Sequence, residues 1–187
     1  MIDLTFEPET HTYTVNGVIV PSVTQVIKDA GIIDTQWFTE WAAERGSRVH
    51  KAIEFDLLGE LDEESVDEHV RPYLGAFRKF RAENDLKIRR VECHVYSPHG
   101  FTGTLDLFAD LNGTPTILDW KTGKADRYVG LQLSGYSVGL HATHSEVACQ
   151  LAAVELKHDG RYKFVKFPFE PKVFLAALEI KKWMRQK

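Results

Sequence analysis

Two spacings of apolar residues alternate along the chain and predict both helices and strands. Near the N-terminus Tyr13 and Val15 alternate with polar residues before the turn signal Asn16-Gly17, which predicts a β-hairpin over residues 6–20. Helical spacing predicts helices over residues 23–30, 35–58 (with a break near Gly46), 64–84, 127–141 and 171–187. Alternating or continuous apolar runs predict strands over residues 88–96, 101–110, 114–121, 147–156 and 162–167.

The order of these elements indicates an α/β fold with a central mixed β-sheet flanked by helices. The chain of 187 residues has the length of one domain, and it contains no long linker, internal repeat or low-complexity segment. We therefore expect a single domain over residues 1–187. Its N-terminal hairpin and helical part would occupy residues 1–85, and the main sheet with its flanking helices would occupy residues 86–187.

Composition narrows the class of protein. Apolar residues make up 43% of the chain and charged residues 27%, which is typical of a domain with a substantial core. No apolar run approaches the roughly 20 residues of a membrane span, and the N-terminal residues do not resemble a signal peptide. The two cysteines are too few for a disulfide framework or a four-cysteine cluster. We expect a cytoplasmic protein.

The net charge of −4 argues against a protein that coats nucleic acid, because such proteins neutralise many phosphates with lysine and arginine. An enzyme that touches a polymer only in a local groove has no such need, so the charge leaves that class open.

A second hairpin carries the most informative residues. Asn112-Gly113 is a strong signal for a two-residue turn, and this turn would pair Asp106 with Asp119. The same register would place Thr104 opposite Lys121. Because side chains alternate along a strand, Asp119 and Lys121 would share one face.

Two carboxylates at a cross-strand pair would lie about 5 Å apart, where like charges destabilise the sheet. Apolar neighbours such as Leu105 and Ile117 predict that this part of the sheet is buried, which raises the cost further. A cation removes the conflict, and oxygen ligands with waters suit Mg²⁺ or Mn²⁺. Lys121 beside it would hold a water or stabilise charge on a phosphate. The alternative is a solvated Asp–Lys pair on a surface hairpin, which the apolar neighbours disfavour.

The pattern Gly103-x-x-Asp106 followed by Asp119-x-Lys121 resembles the PD-(D/E)XK nuclease superfamily. The string Leu118-Asp119-Trp120-Lys121-Thr122-Gly123 with Gln132-x-x-x-Tyr136 is similar to its RecB-like branch, which includes recombination exonucleases and many phage proteins. The resemblance implies a restriction-endonuclease-like core and cleavage of DNA with one or two Mg²⁺ or Mn²⁺ ions. Branch members with an iron–sulfur cluster need four cysteines, so no such cluster is expected here.

The resemblance also implies roles for individual residues. Asp106, Asp119, His50 and the carbonyl of Trp120 would bind metal, and Lys121 would orient water and stabilise charge. Gln132 and Tyr136, one helical turn apart, would support Lys121 or the DNA strand. On spacing alone, His50 equally suits the edge of an apolar helix face.

Four further residues have less specific signals. Glu92, on the strand before the hairpin, would act as ligand or water-orienting base, or would be an ordinary edge-strand charge. Lys124, Arg127 and Arg48 are the expected contacts to phosphates, although charges of this kind are usually solvated.

We therefore expect a metal-dependent deoxyribonuclease, in particular an exonuclease of recombination, repair or phage DNA processing in a bacterial or phage-infected cell. DNA ends or single strands would be its substrate, and a homo-oligomer or a recombination partner protein remains open. The alternatives are an inactive nucleic-acid-binding module of the same fold and a hydrolase of another phosphate ester. Polarity, strand preference and the number of metal ions do not follow from the sequence.

Overall fold

The computed structural model describes residues 3–7, 10, 12–33 and 39–185. The strands are β1 (Leu4–Glu7), β2 (Thr12–Val15), β3 (Val18–Val20), β4 (Leu86–Ser97), β5 (Phe101–Leu111), β6 (Thr114–Lys121), β7 (Gln150–Leu156) and β8 (Tyr162–Phe167). The helices are α1 (Val23–Asp29), α2 (Glu40–Leu58), α3 (Arg71–Glu83), α4 (Arg127–His144) and α5 (Pro171–Arg185), with a 3₁₀ turn at Glu63–Ser65.

The main sheet has the order β4-β5-β6-β7-β8 and is mixed. Neighbouring strands are antiparallel except β6 and β7, which are parallel and are joined through α4. Buried residues of α1, α4 and α5 pack on one face, and buried residues of α2 and α3 pack on the other. The predicted α/β fold with a mixed sheet flanked by helices is confirmed.

The N-terminal strands form a separate antiparallel sheet in the order β1-β2-β3. A bridge between Ser22 and Thr102 connects this region to β5, and the Thr102 N–H donates to the Pro21 carbonyl at 3.0 Å. Helix α1 begins directly afterwards with a capping box, in which Ser22 and Gln25 each bond to the other's backbone. The hairpin, the bridge and the cap therefore fix α1 beside the main sheet.

Two helix predictions were wrong in part. Helix α2 runs through Gly46 without a break, and its predicted start at residue 35 lies outside the described residues. The third helix begins at Arg71 rather than at residue 64. Pro72 explains this start, because proline lacks an N–H donor and is tolerated in a first helical turn but not in a helix interior.

The β5–β6 hairpin forms as predicted around Asn112 and Gly113, whose φ angles are 50° and 81°. Its pairing runs from Leu111–Thr114 to Leu107–Leu118. The ladder ends there, so the predicted backbone pairing does not extend to Asp106 and Asp119 or to Thr104 and Lys121. Beyond this point the two strands separate.

Three glycines let α4 approach its neighbours closely. A Cβ on Gly130, Gly135 or Gly139 would lie 2.8 to 2.9 Å from side-chain atoms of Phe167, Phe174 or Val95, respectively. Such contacts require a rearrangement of the neighbouring side chain.

Gly135→Ala should therefore destabilise the protein by about 1–3 kcal/mol, because the new methyl group overpacks the buried Phe174 ring. Gly75→Ala is the matched control: Gly75 is an exposed helical glycine of α3, and its Cβ would meet no atom within 4 Å. That change should stabilise by about 0.5–1 kcal/mol through helix propensity. Urea denaturation measures both, and an equal gain in the two variants would refute the close packing of α4.

Candidate active site

Asp106 lies where the β5–β6 ladder ends, and its side chain replaces the missing backbone bond. It is 9% exposed, and its Oδ2 accepts a hydrogen bond from the Trp120 N–H at 2.9 Å. The Trp120 ring packs edge-to-face on Phe77 with centroids 5.0 Å apart, which anchors β6 at this level. The Asp106 carboxylate thus lies between β5 and β6 at the point where their backbone pairing ends.

Asp119 and Lys121 follow on β6 and contact each other. Asp119 is 2% exposed, and its Oδ2 lies 2.6 Å from Nζ of Lys121. Among the described residues no donor meets this Oδ2 with hydrogen-bond geometry, so the ion pair leaves it incompletely satisfied. Burial raises the pKa of Asp119, while the Asp119 and Asp106 carboxylates outweigh the effect of burial and raise the pKa of Lys121.

His50 reaches the same place from α2, which is held by buried residues such as Val49 and Ile53. Its Nε2 lies 2.7 Å from the Trp120 carbonyl oxygen, and its Nδ1 lies 3.3 Å from Oδ2 of Asp106. Both neighbours can only accept hydrogen bonds, so this geometry favours the doubly protonated ring. Burial disfavours that charge, but the Asp106 carboxylate outweighs it and raises the pKa of His50 to about 9.

These groups form one charged cluster, made of the Asp106 and Asp119 carboxylates, His50, Lys121 and the Trp120 carbonyl. Its charges balance, because the two carboxylates oppose the His50 and Lys121 cations. Burial disfavours ionisation of Asp106, but His50 and Lys121 lower its pKa overall. The two carboxylates and the backbone carbonyl are oxygen donors of the kind that suits Mg²⁺ or Mn²⁺, and the His50 imidazole adds one nitrogen donor. The poorly satisfied Oδ2 of Asp119 fits such a cation. In the described residues no three acidic, histidine or cysteine side chains are arranged around one point as metal ligands.

Glu92 lies on β4 level with Asp106 of β5, between the pairs Val91–Leu107 and Cys93–Leu105. Its φ of 45° is left-handed, which costs about 1–3 kcal/mol for a residue other than glycine. Burial and the Asp106 carboxylate raise the pKa of Glu92 to about 8.

The sheet changes its facing at this left-handed residue. Val91 packs with the core under α2 and α3, whereas Cys93 packs with the core under α1, α4 and α5. In a regular strand, residues two apart lie on the same face. The reversal places Glu92 at the boundary between the two cores and turns it toward the cleft described below.

Tyr136 and Gln132 of α4 contact each other, with Gln132 Nε2 donating to the Tyr136 hydroxyl oxygen at 3.1 Å. The Tyr136 ring is buried against β5, where a Cβ on Gly103 would lie 2.8 Å from Cε1 of the ring. Burial raises the pKa of Tyr136, so the phenol is neutral. Gly103 thus has a packing role beneath the site.

The three predicted phosphate contacts lie outside the cluster. Lys124 is exposed beside Asp126, at 2.8 Å, and Arg127 is 90% exposed with Glu170 at 3.6 Å. Arg48 is bound by two carboxylates: Glu44 at 2.6 Å and Asp67 at 3.0 Å. Lys124 and Arg127 line a separate groove beyond Lys121, and Arg48 does not line the cleft next to His50.

Glu155 was not among the residues predicted for the site, yet it is 3% exposed on β7 directly beside Lys121. Its carboxylate accepts from the Ala125 N–H at 2.9 Å and from Nζ of Lys157 at 2.8 Å. This pairing ties the loop after Lys121 to the sheet. The signal in the sequence is a glutamate at the end of the apolar run Leu151–Val154.

A cleft of about 800 Å³ opens beside the cluster. Its walls come from the N-terminal sheet, α1, α2 and the β4–β5 ladder. His50 of the charged cluster lines this cleft, as do Glu92 and Tyr136. A ligand in the cleft would lie next to the charged cluster at His50, whose Nδ1 is 3.3 Å from Oδ2 of Asp106. No helix in the described part of the chain is long and apolar enough to cross a membrane.

Comparison with known proteins gives one family. A family model described as the PD-(D/E)XK nuclease superfamily matches residues 36–182. The crystal structure of an alkaline exonuclease (LHK-Exo) from Laribacter hongkongensis is similar over 88% of this chain and 91% of that chain, with 14% identity and a TM-score of 0.40. The crystal structure of SSO0001 is similar over 87% and 85%, with 13% identity and a TM-score of 0.35. No curated protein sequence matches the chain.

Proposed function

Since the chain belongs to the PD-(D/E)XK nuclease superfamily, we propose that it is a divalent-metal-dependent deoxyribonuclease with its active site at Asp106, Asp119 and Lys121. One observation carries the proposal. The separation of β5 and β6 brings both carboxylates, the lysine and His50 to one buried place that borders an open cleft.

Asp106, Asp119, His50 and the Trp120 carbonyl are the groups that would hold the metal. A bound Mg²⁺ or Mn²⁺ supplies polarisation of the phosphodiester and a lowered pKa of the attacking water. Without it, the His50 and Lys121 cations balance the two carboxylates, so these four groups offer the phosphodiester no net positive charge.

Lys121 is assigned to the reacting phosphate and the attacking water. Its ammonium group is held at 2.6 Å from Asp119, and its side chain is only partly exposed. A preorganised cation in a place shielded from water stabilises the negative charge that develops on phosphorus. Glu155 acts through Lys121 by fixing the loop that follows it.

Glu92 is assigned as the group that accepts a proton from the attacking water. Its pKa of about 8 lies close to neutral pH, where a general base is most effective. Gln132 and Tyr136 support the site from α4, because the buried phenol is held by Gly103 on one side and by Gln132 on the other.

The proposal extends to the branch of the superfamily, the extent of the domain and the contacts to phosphates. The Gln132–Tyr136 contact supports the RecB-like branch, and with it an exonuclease of recombination, repair or phage DNA processing. We also propose that residues 1–187 act as one nuclease domain, since α1 and the hairpin are joined to β5. Lys124 and Arg127 would contact phosphates from the groove beyond Lys121. Arg48 requires release from Glu44 and Asp67 to do so.

The test is cleavage of end-labelled single- and double-stranded DNA by the purified chain with Mg²⁺, with Mn²⁺ or with EDTA. We expect cleavage with either ion and its loss, by at least about 100-fold, in EDTA, because the bound ion supplies the polarisation of the phosphodiester and the lowered pKa of the attacking water. Binding of DNA without cleavage under any condition would favour the inactive module. Cleavage of a small phosphodiester but of neither DNA would favour a hydrolase of another ester.

A further inference from the structure

Three aromatic rings form one wall of the cleft, and they come from the N-terminal sheet and from β4. Phe6 of β1 packs on Tyr13 of β2 with centroids 4.4 Å apart, and on His94 of β4 with centroids 5.9 Å apart. Tyr13 and His94 meet edge-on at 6.2 Å. All three rings line the cleft.

The cluster is fixed to the main sheet through Thr104 of β5. The Thr104 hydroxyl lies 2.8 Å from the Tyr13 hydroxyl and 2.7 Å from Nδ1 of His94. Tyr13 is buried, Phe6 is half-buried and His94 is exposed. The Phe6 and His94 rings therefore present surface to the cleft, and the buried Tyr13 supports them. Nothing in the nuclease chemistry described above uses these residues.

The position of the cluster relative to the carboxylates is set by the two strands. His94 lies two residues beyond Glu92 on β4, and Thr104 lies two residues before Asp106 on β5. Two residues of strand span about 7 Å. This separation is comparable to the distance between the phosphate and the base of one nucleotide.

We propose that Phe6, Tyr13 and His94 form a stacking subsite for an unpaired nucleobase next to the scissile phosphate. The inference rests on the proposed nuclease function and names its substrate: a single-stranded or frayed end. A base inside a duplex has both faces covered by its neighbours and a terminal base pair exposes only one, whereas an unpaired base can turn either face to an aromatic ring. Lys28 of α1 and Lys51 of α2, which is paired with Glu54 at 2.8 Å, also line the cleft and suit the backbone of such a strand.

The test measures binding without cleavage. A fluorescein-labelled dT12, an abasic oligomer of equal length and a blunt duplex are titrated with the protein in EDTA, and anisotropy gives each Kd. The two single strands carry the same backbone charges, so their ratio isolates the bases. We expect dT12 to bind roughly 10- to 100-fold more tightly than the abasic oligomer, because stacking contributes about 1–3 kcal/mol per base.

Phe6→Leu keeps the apolar bulk of the side chain but removes the ring face, and His94→Ala removes the exposed ring. Both should reduce the ratio to about two or less while leaving abasic binding unchanged, and Phe6→Trp should retain it. Phe169→Ala, which removes an exposed phenylalanine that does not line the cleft, is the matched control and should leave the ratio unchanged.

Equal affinity of the unaltered protein for dT12 and the abasic oligomer would overturn the inference, as would loss of both affinities in the same proportion in Phe6→Leu and His94→Ala. These outcomes are separate from the fate of the nuclease proposal. Absence of metal-dependent cleavage would reject that proposal even if the base-dependent ratio were found.

Discussion

Lys121→Ala is expected to lower kcat for DNA cleavage by about 10²–10³-fold, with a much smaller change in KM. The reason is that Lys121 supplies a preorganised positive charge where the phosphate becomes more negative, and removing one such group typically costs about 3–4 kcal/mol in the transition state. Steady-state kinetics on end-labelled DNA with saturating Mn²⁺ measures the effect. Lys182→Ala, which removes an exposed lysine of α5 paired with Glu179, is the control and should leave kcat unchanged.

The same substitution removes the ion-pair partner of a buried carboxylate, so loss of folding must be separated from loss of chemistry. Circular dichroism and thermal unfolding at the assay temperature make that separation. Lys121→Arg adds a second check, because it keeps the charge but changes its size and geometry, and it should recover only a small part of kcat. A folded Lys121→Ala variant with unaltered kcat would reject the assignment of Lys121.

Metal affinity is expected to rise about tenfold per pH unit between pH 6.5 and 8.5, which is about 100-fold in total. His50 is protonated in the metal-free protein because the Asp106 carboxylate raises its pKa to about 9, and a protonated ring cannot bind a metal. Each ion bound below pH 9 must therefore displace a proton from His50. The charged groups that act on this ring include Asp106 of β5, Asp119 and Lys121 of β6, and Glu92 of β4.

Isothermal titration with Mn²⁺ at several pH values measures this slope, and buffers of different ionisation enthalpy count the protons released. His50→Gln should bind Mn²⁺ more weakly at pH 8.5 and with most of the slope removed. Glu92→Gln gives the share of the second group with a raised pKa. An unchanged slope in His50→Gln would show that another group carries the proton.

Folding stability should change with pH in the opposite direction when metal is absent. The pKa of His50 is higher in the folded protein than its ordinary value of 6.5, so its contribution is fully present below about pH 6.5. That contribution is lost as pH rises through 9. In EDTA the melting temperature of the unaltered protein should thus fall more steeply from pH 7 to pH 9.5 than that of His50→Gln.

The sequence predicts the chemistry of the site better than its geometry. Asn112-Gly113 specified the β5–β6 register because a two-residue turn leaves little freedom in pairing, and the order of apolar runs was sufficient for the mixed sheet. The register alone, however, treats the strands as continuing past Leu107. Where they separate, the Trp120 N–H donates to the Asp106 side chain instead of to a backbone carbonyl. The spacing of apolar residues cannot predict this contact.

Other features depend on contacts between distant elements. Glu92 has a left-handed backbone because the residues on either side of it pack into different cores. No local sequence pattern predicts this conformation. The cationic state of His50 requires Asp106 and the Trp120 carbonyl to be its neighbours. By contrast, the start of α3 was available from Pro72, and the buried Glu155 was available from the apolar run before it.

The pairing of β6 with β7 has a consequence for the order of events during synthesis. The β5–β6 hairpin is local in sequence, whereas β7 reaches Lys121 only after α4 has crossed over, and Glu155 belongs to that late strand. Long-range parallel pairing is slow because loop closure must precede the contacts that stabilise it. A nascent chain on the ribosome therefore carries both carboxylates and the lysine before the residue that fixes the following loop exists. Hydrolytic competence would arise late, when the domain is nearly complete.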